Sequence, residues 1–471
     1  MKKYIYITIF AIATIFVGCE KFLTTDPYQQ IDADQAFERV SDADNALNGL
    51  YNIMGNYRVL GNYAIAIGDF ASDIAVADGA TGHFVSINNY EIADYLGELT
   101  LIWEYGYKLI NGSTVLIKES KRLLSENANY PDQVDQLNLI LAEAYGLRAY
   151  TYFKLVNLFG LPYGTNDNPH GGLILMDEEP ILPEQPVSRS SVVETYELIL
   201  KDINSSAEYF GKTTLSRNQY YFNPAANSAL HARVALFMKD YAVASAKASE
   251  AITLRNAPEI SDEDYTTMWF STAITSEDIF TIVKSPDDNL SANALNTLYG
   301  SYGGSLTDEF LADFDQENDI RFSLIGSPKD PNHPKKFDGL PSSAATSNIP
   351  QFRVSEMYLI IAEAEAQLGN IAVSQENLFY TAKRNKAITS STDLPGDVES
   401  LLSFISKERK RELFTEGHRW YDARRTGELI SVVNGSVQNY DVAKFVYPIP
   451  SDEINSGYNC EQNDGWEDAL P

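Results

Sequence analysis

Residues 133–159 read QVDQLNLILAEAYGLRAYTYFKLVNLF, and the spacing of the apolar side chains in this stretch decides the fold class. Leu137, Ile140, Leu141, Ala144, Leu147 and Leu155 recur near the helical period of about 3.6 residues. Gly160 and Pro162 then stop the helix. Toward the N-terminus, Leu101 to Leu124 is another amphipathic stretch, and Ser41 to Met54 places Ala43, Ala46, Leu47 and Leu50 on one face. Toward the C-terminus, Ser191 to Phe210 begins with Ser191 and Glu194 in capping-box spacing. Asn223-Pro224 opens the next helix, with Asn at the cap and Pro in the first turn, and it runs to about Met238. Tyr241 to Leu254 follows, rich in Ala at packing positions. Arg353 to Leu368 puts Val354, Met357, Tyr358, Ile361, Ala364 and Leu368 on one face. Gly369-Asn370 ends it, Ile371 to Ala387 pairs with it, and a last helix covers about Leu401 to Glu416.

Two regions break this pattern. Residues 55–100 are interrupted by Gly, Asn and Asp and carry Tyr57, Tyr63, Phe84, Tyr90 and Tyr95; they read as loops with short pieces of structure. Residues 256–349 are irregular, with one strand at Ile279 to Val283 and loops marked by Gly303-Gly304-Ser305 and Pro328-Lys329-Asp330-Pro331. Helix pairs with small residues at their crossings predict a mostly α, tetratricopeptide-like superhelix with a long loop-rich insertion and few short strands.

The N-terminus predicts export. Lys2 and Lys3 precede an apolar run from Tyr4 to Gly18, and Cys19 follows directly. The run of about 15 residues spans roughly 22 Å as a helix, short of the roughly 30 Å bilayer core. Residues 1–18 therefore read as a lipoprotein signal peptide, Cys19 as the lipidation site, and 19–40 as anchor and tether to a body at 41–471. An ordinary signal peptide with an incidental cysteine is the alternative. Phe16 stands where such signals more often carry Leu.

Composition excludes other classes. With 65 acidic against 36 basic residues the chain carries a net charge of −29, which repels nucleic-acid phosphates and anionic lipid. Neither nucleic-acid binding nor electrostatic membrane attachment is expected, so the lipid must hold the protein to a membrane. Cys460 is the other cysteine, so lipidation of Cys19 leaves no intramolecular disulfide. The 5 histidines show no zinc-ligand spacing, and no metal or cofactor is expected. Asp313 to Asp319 departs from the calcium-loop template, with Asn318 where Gly is needed and Leu324 where Glu is needed. No nucleophile elbow, P-loop or dinucleotide fingerprint appears, so nothing demands an enzyme.

Five segments, in order, resemble the SusD/RagB-type outer-membrane lipoproteins of Bacteroidetes. They are Cys19 with Phe22-Leu23 and Pro27; Ala142 to Ala149 leading to Leu155 through Gly160; Arg353 through Met357-Tyr358-Leu359 to Ala364; Glu408 to Leu413 with Glu416 to Asp422 and Arg424 to Gly427; and Pro448-Ile449-Pro450 with Glu453-Ile454 and Gln462-Asn463. The fourth is the most specific. The resemblance implies about four tetratricopeptide-like helix pairs, within about 101–255 and 353–387, and a ligand-side region at about 256–349. It implies a lipid-anchored outer-membrane protein, exposed at the cell surface, that captures a glycan for a SusC-like TonB-dependent transporter. A peptide-binding, RagB-like role and a glycoside hydrolase are the alternatives. Surface lipoproteins of this kind often carry several acids after the cysteine, whereas Glu20 here is followed by Lys21.

Candidate ligand contacts are weighed against ordinary structural roles. Asp69 and Asp73 pair two carboxylates that can accept sugar hydroxyls, or they cap a turn. Phe84, Tyr90, Trp269, Tyr299 and Tyr302 offer rings for the apolar C–H face of a sugar, or they fill core beneath their loops. Arg353 points toward the same face or joins a scaffold ion pair. Arg409, Glu412, Glu416 and Arg419 read as a structural network rather than a binding cluster.

Overall fold

The computed structural model describes residues 36–165, 167–182, 185–343, 345–433 and 437–466. The signal peptide, Cys19 and the tether up to residue 35 lie outside the described residues.

The body is mostly helical. α1 (Val40–Met54), α2 (Tyr63–Phe70) and α3 (Val85–Asn88) precede two long helices, α4 (Gly97–Glu126) and α5 (Pro131–Phe159). α6 (Val192–Phe210), α7 (Pro224–Phe237), α8 (Tyr241–Arg255) and the short α9 (Asp262–Thr267) follow. After α10 (Leu295–Tyr299) and α11 (Asp308–Leu311), the regular helices α12 (Val354–Gln367), α13 (Ile371–Ala382), α14 (Val398–Leu413) and α15 (Arg419–Thr426) return, and α16 (Ser451–Ile454) closes the series. Packing follows chain order: α4 lies on α5, α5 on α6, α7 on α8 and α12 on α13, with α12 also covering α8 and α14.

α5 is the central helix. Every residue from Leu137 to Phe153 is buried, so the stretch is hemmed in on all sides rather than along one stripe. Gly146 sits where the Phe222 ring crosses; a Cβ there would stand 2.0 Å from Phe222 Cε1. Arg148, fully buried, reaches Asp202 on α6 with two bonds of 2.7 Å. The cap signals act as the sequence predicts. Ser191 Oγ accepts from the Glu194 amide at 3.1 Å, and Glu194 accepts from the Ser191 amide at 2.8 Å. Asn223 Oδ1 accepts from the Ala226 amide at 3.0 Å.

Three two-stranded antiparallel sheets tie distant segments together: β1 (Ala75–Val76) with β3 (Ser305–Leu306), β2 (Asp278–Ile282) with β4 (Ile349–Arg353), and β5 (Ile430–Val433) with β6 (Val437–Tyr440). The strand expected at 279–283 is β2, shifted by one residue. α13 ends at Ala382, earlier than expected, and the chain turns there to aim Arg384 at Glu412. The expected helix 401–416 is α14, which starts at the Asp397 cap and stops at Leu413. Thr415 and Gly417 then take positive φ of 61° and 74°. Gly417 packs so closely on α2 that a Cβ would lie 2.5 Å from the Ile65 carbonyl oxygen, and this approach breaks the helix before α15.

A buried ion network joins β4, α14 and the insertion. Arg353 binds Glu277 and Glu412 at 3.0 Å and Glu416 at 2.8 Å, while Arg321 binds Asp319 and Glu408 at 2.7 Å. Lys336 reaches Glu416 at 2.9 Å, and Arg384 reaches Glu412. Burial alone would raise the Glu412 carboxyl; Arg384, Arg353 and Arg321 overcome it and hold the group at about 2. Arg409 and Arg425 share Asp422 in the same manner between α14 and α15. Every residue named in the network is buried, which fits a structural role for these charges of the segment 408–427.

Candidate functional site

The β1–β3 pair does more than close a loop. It lays residues 77–84 against residues 300–304, bringing together chain positions that are far apart in sequence. Thr81 Oγ1 donates to the Tyr302 carbonyl at 2.7 Å. Gly303 has φ 73°, and a Cβ on it would lie 2.6 Å from Asp78 Oδ2, so the loops can approach this closely only with glycine there. The result is a stack of His83 on Tyr302, with centroids 3.8 Å apart and planes 14° from parallel. His83 is exposed and Tyr302 half-buried, so this pair presents an aromatic surface to solvent.

The pair continues into a strip. Tyr63 meets Tyr57 edge-on at 5.3 Å, and burial raises its hydroxyl above the ordinary range, with Glu98, Tyr57 and Tyr302 adding to the effect and Arg58 opposing it. The Arg58 guanidinium lies over Tyr57 at 4.4 Å and over Tyr105 at 4.8 Å. Lys108 covers Tyr105 at 4.3 Å. Rings and cations therefore alternate along one side of α4.

Beneath the strip is a second, buried stack. Phe84 lies on Phe70 at 5.4 Å and Phe70 on Tyr299 at 5.3 Å. Tyr299 donates to Asp69 Oδ2 at 3.3 Å, and burial pushes the Asp69 carboxyl well above its usual value. Phe84 and Tyr299 are 2% exposed and Asp69 is 0% exposed, so none presents a face to a ligand. These three are corrected from ligand contacts to foundation: their apolar area is worth more beneath the loops than on them.

The other expected contacts also fall elsewhere. Trp269 is buried against Phe337 at 5.6 Å, with the Lys336 ammonium 4.6 Å from its ring. Arg353 is locked in the ion network, and Asp73 is held by Arg419 through bonds of 2.7 and 3.0 Å. Half-buried Tyr90 donates to the Ala71 carbonyl and stacks on Tyr440 at 4.6 Å. Among the expected residues Tyr302 alone belongs to the exposed stack. His83, Arg58 and Tyr105 were not anticipated; a histidine between glycine-broken loops was the available signal.

The arrangement offers ring faces, a guanidinium and hydrogen-bonding loops, with no nucleophile and base in contact. Among the described residues no group of three His, Cys, Asp or Glu side chains stands where it could hold a metal ion. No described helix is long and apolar enough to cross a membrane. Cys460 is buried, and burial pushes its thiol up to about 12.

Comparison with known proteins bears on the whole chain. Residues 332–466 match the SusD family, and residues 21–236 match a SusD-like family described as starch-binding and associating with the outer membrane. The SusD-like protein P2 of Formosa agariphila is 25% identical, over 98% of this chain and 99% of its own length. The starch-binding protein SusD of Bacteroides thetaiotaomicron is 32% identical over 28% of this chain and 24% of its own. A crystal structure of a SusD superfamily protein from Bacteroides thetaiotaomicron has the same fold, with a TM-score of 0.79 at 24% identity, covering 90% of this chain and 99% of that one.

Proposed function

We propose, on the premise that this chain is SusD-like along nearly its whole length, that it captures a glycan at the His83–Tyr302 stack for import across the outer membrane. The observation that carries the reading is the exposed ring pair, held by two loops and flanked by Arg58. Pyranose rings carry apolar C–H faces that lie flat on aromatic rings, while their hydroxyls reach the polar edge. The starch-binding description of the matched family and of the partly similar SusD protein supports a saccharide as the ligand class.

The further steps rest on the likeness to the family. Cys19 carries the lipid, the residues between it and Phe37, where the packed body begins, serve as the tether, and the body sits at the cell surface over a SusC-like TonB-dependent transporter. The protein binds without turnover.

Affinity electrophoresis tests the reading. Residues 20–471 are run through gels containing starch, laminarin, xylan, mannan or pectin, beside Tyr302→Ala. Retardation of the wild-type chain by one polymer, reduced in the variant, is the expected result. No retardation in any gel contradicts it. Co-purification of a large β-barrel from native outer membranes tests the transporter separately.

A further inference from the structure

Helix α4 has a second side. Tyr105 faces Arg58 and the ring strip, whereas Trp103 and Tyr107 line a groove of about 480 Å³ between α4, α16 and the chain at Met176 to Ile181. That volume lies in the range of roughly 300–1,000 Å³ typical of small-ligand sites. The salt bridge of Glu104 to Lys108, 2.6 Å long, divides the groove from the strip.

The groove is built of fixed rings and oxygen acceptors. Trp103 and Tyr107 stand 4.6 Å apart at 49°. The Tyr107 hydroxyl accepts from the Ile174 amide at 2.8 Å and donates to the Ile174 carbonyl at 3.3 Å, which pins the ring. Trp103 Nε1 donates to Glu453 Oε2 at 3.1 Å and so aims that carboxylate. Asn111 Oδ1, also lining the groove, is buried with no hydrogen-bond partner. Asp452 adds an exposed carboxylate. Carboxylate and amide oxygens dominate the set, and its cation, Lys108, is already engaged with Glu104 and Tyr105.

We infer that this groove is a second saccharide subsite, reached by the same glycan chain that stacks on His83 and Tyr302; the inference rests on the glycan reading above. Sugar hydroxyls donate to Asn111, Asp452 and Glu453, the last already aimed by Trp103, and C–H faces meet the ring edges. An acceptor-rich groove on an acidic chain also suits an organic cation, and the experiment separates the two. Two linked subsites, one on the paired loops and one on α4, convert the second contact into an intramolecular one, so long polymers gain affinity.

The test repeats the gel panel with Asn111→Ala/Asp452→Ala. Asp452→Ala alone, an exposed change, is the second variant should the double one fold poorly, and circular dichroism confirms folding. The expected result is retention of the bound polymer weakened by about tenfold in the groove variant, as loss of one of two linked contacts requires. Retention equal to wild type overturns the subsite while leaving the glycan reading intact. No retention of wild type by any polymer sinks both. A trilysine probe that binds wild type in low salt, and not the variant, assigns the groove to cations and overturns the saccharide class.

Discussion

Asp73→Asn separates a structural carboxylate from a ligand contact. Asp73 lies between α2 and β1, and it receives Arg419 Nε at 2.7 Å and Nη2 at 3.0 Å. The two side chains are 9% and 5% exposed, so the pair is desolvated. Burial pushes the carboxyl up, but Arg419 and Lys410 outweigh it and hold Asp73 below the usual carboxylate range. Its stabilisation is therefore full above about pH 4 and fades as pH falls through the depressed value. Asparagine keeps the shape, removes the charge and turns an N–H toward the guanidinium. Removing one partner of a buried pair costs about 3–5 kcal/mol. Arg419 keeps Glu428 at 2.6 Å, so the lower end, about 3 kcal/mol, is expected here. Urea unfolding followed by the fluorescence of Trp420, buried next to Arg419, measures the loss. A double cycle with Arg419→Gln should return a coupling of about 1–3 kcal/mol. Affinity for a retained polymer should be unchanged in the folded variant. An unaltered unfolding midpoint with lost binding would refute the reasoning and return Asp73 to the ligand.

Three further outcomes follow from the packing. Glu408 and Glu412 are held at about 2 by their arginines, below the ordinary 4.5. Their stabilisation is complete above about pH 4.5 and is lost between there and about pH 2, so the melting temperature should fall steeply across that window and much less in Glu412→Gln. Gly68→Ala would set a Cβ 2.3 Å from the Gly417 carbonyl oxygen, and about 1–3 kcal/mol should be lost by unfolding titration. Gly146→Ala meets the Phe222 ring at 2.0 Å, and a comparable loss should appear in the same titration.

The helical body was legible because its signals are local. Ser191 with Glu194, and Asn223 with Pro224, state where helices start, and the run from Leu137 to Phe159 states what is buried. The end of α14 was legible to within three residues, but the separate helix α15 after it was not. The charges from Glu408 to Arg425 continue at helical spacing, and the interruption at Thr415 and Gly417 comes from contact with α2, some 350 residues earlier. The site divides in the same way. Aromatic loop residues were visible as a class, but exposure depends on what lies beneath them. Trp269 and Tyr299 sit on network and core, whereas Tyr302 is held at the surface beside the β1–β3 pairing, which also brings His83 onto it. No local pattern links His83 to Tyr302. The spacing of Arg409, Glu412, Glu416 and Arg419 reads as a structural network and all four are buried, whereas Arg353, expected at the ligand face, pairs with Glu412 and Glu416 instead.

The most direct measurement is calorimetric titration of residues 20–471 with oligosaccharides cut from the polymer that retards the protein, beside His83→Ala and Tyr302→Ala. Saturable binding with no new reducing ends is predicted, weakened by about 2- to 10-fold in each variant, as loss of one stacking face requires. Undiminished binding in both variants, or release of reducing ends by the wild-type chain, contradicts the account.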